Sequence, residues 1–139
     1  MQDAREVKEC LVQSLNAHDM AAVRTCHHPD AVLVSPAGVA EGHEQIVWYY
    51  EHLIAAFADL RITNWHILSY GDSAATEWTA TGTHTGPFLL SSGRLLDPTG
   101  RRIAIRGTGI VHVENGQIIT NREYYDQLEI YAQLGLELP

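Results

Sequence analysis

The sequence contains few of the residues that mark disulfide-rich, membrane or secreted proteins. Its 139 residues include two cysteines, Cys10 and Cys26, which are too few for a disulfide framework and whose apolar helical positions predict buried free thiols. No apolar run approaches the ~18 residues that a membrane span needs. The first residues lack the basic and apolar regions of a signal peptide. We therefore expect a cytoplasmic protein with no membrane partner.

Basic residues are also scarce. Nine Lys and Arg stand against 17 Asp and Glu, which gives a net charge of −8, and Lys8 is the only lysine. A protein that binds a phosphate backbone needs a basic face. The composition therefore argues against a nucleic-acid partner.

Motifs for phosphate binding, serine nucleophiles and metals are missing. The sequence has no Gly-x-Gly-x-x-Gly, no Walker loop and no Gly-x-Ser-x-Gly elbow. It has eight histidines, but none of their spacings places two ligands on a shared face. We expect neither a metal nor another cofactor.

Hydrophobic periodicity predicts an α+β fold in a single domain over 1–139. Apolar residues recur at helical spacing in the first third, and alternation with a period of two follows. This order predicts a cone-shaped domain in which N-terminal helices pack on a strongly curved, mainly antiparallel sheet. The predicted helices cover 4–15, 19–26, 43–57 and 128–134, the predicted strands cover 31–35, 60–70, 74–85, 101–113 and 117–125, and 87–96 is expected to be a loop or flap.

The last hairpin decides which residues face the helices. With Glu114-Asn115-Gly116 as a three-residue loop, Val113 pairs with Gln117 and Glu123 lies opposite Gly107. A two-residue Asn-Gly turn would shift the register by one and bury the face that carries the arginines, so we reject it. The predicted inward face is then apolar apart from two residues and consists of Ile103, Ile105, Gly107, Gly109, Val111, Ile119, Asn121, Glu123 and Tyr125.

Glu123 is the leading candidate for catalysis. Burial disfavours a charged carboxylate and makes such a group suitable as a general acid or base. Gly107 and Gly109 would leave empty volume above the sheet, as a pocket requires. The alternative is that Glu123 forms an ion pair with Arg106 or Arg122 at the rim of the sheet.

Several further residues are candidates for the same pocket. Asn121, His84 or Tyr125 would donate hydrogen bonds to a developing enolate, although a hydrogen-bonded structural role for His84 is favoured. Asp126 begins an Asp-x-x-Glu capping box, which favours a helix cap and leaves a second role at the pocket edge open. The residues expected to hold an apolar ring system are Trp78, Tyr125, Tyr50 and Phe57, beside Gly107 and Gly109.

Several segments together resemble the SnoaL-like group of the nuclear transport factor two-like (cystatin-like) superfamily, which includes polyketide cyclases. The resemblance spans nearly the whole chain and is carried by Phe57-Ala58-Asp59-Leu60, Glu77 to Gly86, Pro98-Thr99-Gly100-Arg101, Glu114 to Ile118, Tyr125-Asp126 and Gln133 to Leu136. It implies an acidic residue on the cavity wall, at Glu123 or Asp126, that closes a ring by an intramolecular aldol reaction without metal or cofactor. It also implies a homodimer through the outer face of the sheet.

Two classes of function follow. The leading hypothesis is a cofactor-independent acid–base enzyme, polyketide-cyclase-like, that acts on a small hydrophobic carbonyl compound by ring closure or isomerisation. The rival is a non-catalytic ligand-binding or dimeric interaction module of the same fold, favoured by the sparse polar groups in the predicted pocket. Epoxide hydrolysis is a third, less favoured hypothesis, because the related epoxide hydrolases carry Arg-x-Asp where this chain has Trp78 and Ala80.

Overall fold

Four helices and eight strands follow one another along residues 3–137, the part of the chain that the computed structural model describes. The predicted domain includes residues 1, 2, 138 and 139, which lie outside the described residues. The helices are α1 (Ala4–Asn16), α2 (Met20–Thr25), α3 (Gly42–Ala56) and α4 (Gln127–Gln133). The strands are β1 (His27–Ser35), β2 (Gly38–Glu41), β3 (Arg61–Tyr70), β4 (Ser73–Thr83), β5 (Phe88–Leu89), β6 (Leu95–Leu96), β7 (Arg102–Glu114) and β8 (Gln117–Tyr125).

Aspartate caps start three of the helices. The side chains of Asp3, Asp19 and Asp126 accept hydrogen bonds from backbone N–H groups in the first turns of α1, α2 and α4, which satisfies donors that a helix start leaves unpaired. Helix α1 buries a stripe that includes Leu11 and also Lys8. Within residues 3–137, no helix combines the length and the apolar composition needed to cross a membrane.

The sheet has six strands in the order β2-β1-β8-β7-β4-β3. Strands β1 and β8 pair in parallel, and the other neighbouring pairs are antiparallel. Helix α1 crosses the inner face and contacts β3, β4, β7 and β8, while α3 packs on β1 and β2. This arrangement confirms the predicted α+β fold, with helices packed on a curved and mostly antiparallel sheet.

Two predicted segments differ from the structure. Strand β1 was predicted to cover 31–35, but it starts at His27 and contains Pro29. The strand can include a proline because its pairing with β8 is interrupted between His27 and Val32, where no backbone N–H is needed for the ladder. The strand β2 was not predicted. The expected loop over 87–96 contains a short hairpin in which β5 pairs with β6.

The register predicted for the last hairpin is wrong by one residue at the turn and by two residues in the rest of the hairpin. Asn115 and Gly116 both have positive φ angles, 51° and 76°, and form the two-residue turn that we had rejected. A bulge at Ile119 then inserts one extra residue into β8, so that Glu123 lies opposite Gly109 rather than Gly107. The bulge restores the alternation beyond it, and Asn121, Glu123 and Tyr125 therefore still face inward.

Candidate functional site

A cavity of about 210 Å³ lies between the inner face of the sheet and the helices. Its wall is mostly apolar and aromatic. The helices contribute Tyr50, Leu53 and Phe57, and the sheet contributes Ile62, Trp78 and Ile105. A concave apolar cavity with a few polar groups is the usual form of a small-molecule site.

One carboxylate, one ammonium group and one indole meet on the cavity wall. Lys8 Nζ of α1 lies 2.6 Å from Glu123 Oε1, and Trp78 Nε1 donates a hydrogen bond of 2.8 Å to Glu123 Oε2. The side chains of Lys8 and Glu123 are 4% and 12% exposed. The two donors bind one carboxyl oxygen each. Glu123 is therefore held as an oriented carboxylate in an apolar environment.

The ion-pair partner of Glu123 differs from both alternatives given by the sequence. Arg106 and Arg122 are exposed, whereas Lys8 is 3% exposed. Sequence reasoning missed Lys8. A signal was present, since lysine is rare on the buried stripe of a helix unless it is paired.

The two glycines of β7 have a role different from the one predicted. A Cβ atom at Gly109 would overlap the carboxylate of Glu123, and one at Gly107 would overlap the ring of Trp78. The space above them is therefore filled by these two side chains and does not form the cavity. The glycines allow Glu123 and Trp78 to lie close against the sheet.

The four aromatic residues predicted to hold a ring system all line the cavity: Trp78, Tyr125, Tyr50 and Phe57. The hydroxyl groups of Tyr125 and Tyr49 are 3.2 Å apart. Burial raises the pKa of Tyr49, Tyr50 and Tyr125, and the charge of Glu123 adds to the rise at Tyr50. The three phenols are therefore neutral, and one of the Tyr49 and Tyr125 hydroxyls donates to the other.

His84 does not line the cavity. Its Nδ1 accepts a hydrogen bond of 3.1 Å from the backbone N–H of Thr99, and its ring packs against Phe57 and Phe88. Burial lowers the pKa of His84. This geometry fits the structural alternative, in which a neutral histidine fixes the turn before β7.

Asp126 and Asn121 also lie outside the cavity lining. Asp126 is exposed and caps α4 through hydrogen bonds from the backbone N–H groups of Leu128 and Glu129. Asn121 is fully buried behind the wall, with its Nδ2 3.5 Å from the hydroxyl of Tyr50. Asn121 can orient Tyr50 but does not reach a ligand directly.

One side of the cavity is closed by the segment around the β5–β6 hairpin. Phe88, Leu89 and Leu90 contribute to the wall. The backbone N–H of Leu89 donates to His52 Nε2 on α3 at 3.1 Å, and that of Ser91 donates to the hydroxyl of Tyr131 on α4 at 2.9 Å.

Among residues 3–137, no group of three His, Cys, Asp or Glu side chains is placed to hold a metal ion.

Solved structures share this architecture over nearly their whole length. IdmH from Streptomyces antibioticus is 28% identical, with 97% of this chain and 100% of that chain covered and a TM-score of 0.81. TsrD from Streptomyces laurentii is 26% identical, with coverage of 96% and 95% and a TM-score of 0.82. AclR from Streptomyces galilaeus is 24% identical, with 98% of this chain and 97% of that chain covered and a TM-score of 0.82.

Sequence comparison gives the family. No curated protein matches the chain. The profile of the SnoaL-like polyketide cyclases matches residues 5–134, a range that contains Lys8, Trp78 and Glu123. The chain therefore belongs to the SnoaL-like polyketide cyclase family.

Proposed function

We propose that the protein is a cofactor-independent acid–base enzyme that acts on a small hydrophobic carbonyl compound, with Glu123 as the general base. The observation that carries this proposal is the Lys8–Glu123 pair in a cavity whose wall is mostly apolar. Glu123 would take a proton from the carbon next to the carbonyl group. The resulting enolate would either be protonated at another carbon or attack a second carbonyl carbon of the same molecule.

The ammonium group of Lys8 makes this proton transfer feasible in a buried site. Before the transfer, the negative charge is on Glu123; afterwards, Glu123 is neutral and the charge is on the enolate oxygen. Lys8 is within reach of the same region and compensates the charge in both states, so the cavity is neutral throughout. An isolated buried charge would be costly at either stage, and a fixed positive group beside the developing charge favours the transition state.

The cavity wall supports an intramolecular aldol closure. Tyr50, Phe57, Trp78 and Tyr125 surround the space beside the carboxylate and would hold a flexible ligand so that its two reacting carbons meet. In the closure, a carbon–carbon bond forms, the second carbonyl oxygen becomes an alkoxide, and the proton held by Glu123 returns to it. Membership of the SnoaL-like family agrees with this reaction class.

Hydrogen exchange into a simple ketone tests the role of Glu123. 1-Tetralone in D2O exchanges the hydrogens next to its carbonyl group when a base removes them, and NMR measures the rate. We expect the wild-type protein to accelerate exchange and Glu123→Gln to reduce it to the background rate. The substitution retains an acceptor for the indole N–H of Trp78 but leaves the ammonium group of Lys8 buried without a counter-charge. Circular dichroism and thermal unfolding therefore verify that the variant is folded under the conditions of the exchange assay.

Asp126→Asn is the matched control. It also removes one carboxylate, but at the exposed cap of α4, where asparagine caps as well as aspartate. This variant should exchange 1-tetralone at the wild-type rate. If Asp126→Asn abolishes exchange and Glu123→Gln does not, Asp126 is the acid and our assignment is wrong.

The alternative remains a ligand-binding module without catalysis. It is favoured by the completeness of the Lys8–Glu123–Trp78 contacts, which satisfy the carboxylate without a ligand. In that case, 1-tetralone would bind but its exchange would stay at background in the wild type. Epoxide hydrolysis is less favoured, because the inward positions of β4 carry Trp78 and Ala80 and supply no acid.

A further inference from the structure

The mouth of the cavity can be located from the exposure of its lining residues. Most of the wall is buried or half-buried, but four of its residues are exposed: Ala37, Trp48, Leu89 and Ser91. They belong to the turn between β1 and β2, to α3 and to the segment around the β5–β6 hairpin. The cavity therefore opens to the surface between these three elements.

A groove adjoins this mouth. It has a volume of about 410 Å³ and lies between the β1–β2 hairpin and α3. Three residues, Ala37, Trp48 and Tyr49, line both the cavity and the groove. The groove also contains Val39, which is 59% exposed, beside Trp48, which is 57% exposed. A ligand that protrudes from the cavity past Trp48 therefore meets a second apolar surface.

Stacking fixes the orientation of Trp48. Its ring lies parallel to that of His52, with centroids 5.5 Å apart and an angle of 5° between the planes. His52 stacks in turn on the buried Phe88, with centroids 5.8 Å apart, and its Nε2 accepts a hydrogen bond from the backbone N–H of Leu89. Trp48 is thus the exposed end of a three-ring column. A ligand that stacks on an indole held in this way pays little to immobilise it.

The volume of the cavity limits how much of a ligand it encloses. An engineered protein cavity of about 150 Å³ is large enough for benzene, and this cavity measures about 210 Å³. One ring or two fused rings fit inside the wall. Any further ring of the same ligand must lie outside the mouth, where the groove offers exposed apolar side chains that gain from being covered.

We propose that the groove is a second subsite and that Trp48 determines its specificity for a planar aromatic group of the ligand. The ketone ring system lies in the cavity, and the aromatic group, joined to it by a short flexible link, leaves through the mouth and stacks on the indole of Trp48. The placement of the ketone at Glu123 rests on the proposed function. The subsite itself requires only that the cavity binds the ring system.

Calorimetric titration with three ketones tests the subsite. The probes are 6-methoxy-1-tetralone, 6-benzyloxy-1-tetralone and 6-(cyclohexylmethoxy)-1-tetralone, whose third ring is similar in size to the phenyl ring but not planar. Stacking of an aromatic pair corresponds to about a two- to twelvefold gain in affinity beyond the effect of the buried area. We expect the benzyloxy ketone to bind the wild type more tightly than the cyclohexylmethoxy ketone by that factor, and the methoxy ketone to bind most weakly.

Variants at position 48 assign the preference to the indole. Trp48→Ala should bind the benzyloxy and cyclohexylmethoxy ketones equally, whereas Trp48→Phe retains an aromatic ring and should keep part of the preference. Trp65→Ala is the matched control, because Trp65 is also exposed, at 69%, but lies on the outer face of the sheet and bonds to Thr79. It should keep the full preference. Thermal unfolding verifies that each variant is folded.

Three binding results would overturn the proposal: equal affinity of the wild type for the benzyloxy and cyclohexylmethoxy ketones, persistence of the preference in folded Trp48→Ala, or no binding of any of the three ketones. A second copy of the chain is the other candidate occupant of the groove. If light scattering shows a dimeric wild type and a monomeric Trp48→Ala, the groove is an interface between copies and the proposal is wrong.

The outcome is separable from the exchange test, since binding does not require turnover. A Trp48-dependent preference without Glu123-dependent exchange would leave the subsite in place and refute the proposed reaction. Exchange of 1-tetralone without the preference would do the reverse.

Discussion

Replacing Lys8 by methionine should destabilise the protein through the charge that it leaves behind. Methionine fills similar space, but Glu123 would remain a buried carboxylate with only the indole N–H of Trp78 as a partner. Removing one member of a buried ion pair typically costs about 3–5 kcal/mol, and the remaining hydrogen bond places our expectation at about 3 kcal/mol. With an unfolding entropy of about 2.1 cal/mol/K for each of 139 residues, this corresponds to a decrease in Tm of about 10 °C.

A double-mutant cycle separates the charge from the packing. Lys8→Met combined with Glu123→Gln removes both charges and should recover most of the lost stability. Glu9→Gln is the control on the same helix, because it removes the exposed Arg5–Glu9 pair, whose side chains are 50% and 44% exposed. It should change the free energy of unfolding by less than about 0.5 kcal/mol. Urea unfolding measures all five proteins, namely the wild type, Lys8→Met, Glu123→Gln, the double variant and Glu9→Gln. A loss below about 1 kcal/mol in Lys8→Met would refute the reasoning.

Three further predictions concern the sheet and the core. Gly109→Ala places a methyl group on the carboxylate of Glu123 and should reduce the exchange of 1-tetralone by at least about tenfold, measured by NMR; an unchanged rate would show that the carboxylate position is not critical. Burial lowers the pKa of His27 from an ordinary value of about 6.5 to about 4. Between these two pH values the unfolded chain binds more protons than the folded protein. The free energy of unfolding should therefore fall by up to roughly 3 kcal/mol as pH decreases from 6.5 to 4. His27→Asn should flatten this part of the pH profile in urea unfolding, and an equally steep profile would contradict the assignment. The outer face of the sheet exposes five large apolar side chains, those of Trp65, Leu68, Tyr70, Ile110 and Tyr124. We expect two copies of the chain to form a homodimer through this face. Light scattering should give twice the mass of the chain for the wild type and the monomer mass for Ile110→Arg, and a monomeric wild type would rule this out.

The inward carboxylate could be predicted from the sequence, but its partner could not. The predicted three-residue loop placed Glu123 on the inner face, and in the structure a two-residue turn combined with the bulge at Ile119 gives the same face. The partner Lys8 lies 115 residues away on α1, and its contact depends on how that helix crosses the sheet. A single sequence contains the burial signal for Lys8 but not the packing angle that joins it to Glu123.

The glycines of β7 show a second limit of sequence reasoning. Gly107 and Gly109 were predicted to leave empty volume above the sheet for a ligand, and the structure contradicts this prediction. The occupants are the protein's own Trp78 and Glu123 rather than a ligand. The missing side chain of a glycine identifies available space, whereas the side chain that fills it depends on the register of the neighbouring strands.

The bulge at Ile119 gives β8 one residue more than its pairing with β7 requires. Val113 pairs with Ile118, and His112, the preceding residue of β7, pairs with Thr120. Loss of the single codon for Ile119 would therefore leave a regular ladder with Glu123 still opposite Gly109, whereas loss of one further residue between Ile118 and Glu123 would move the carboxylate to the opposite face of β8. This stretch can lose one residue and keep the inward acid but cannot lose two, so comparisons within the family need to align the bulge before they align the carboxylate.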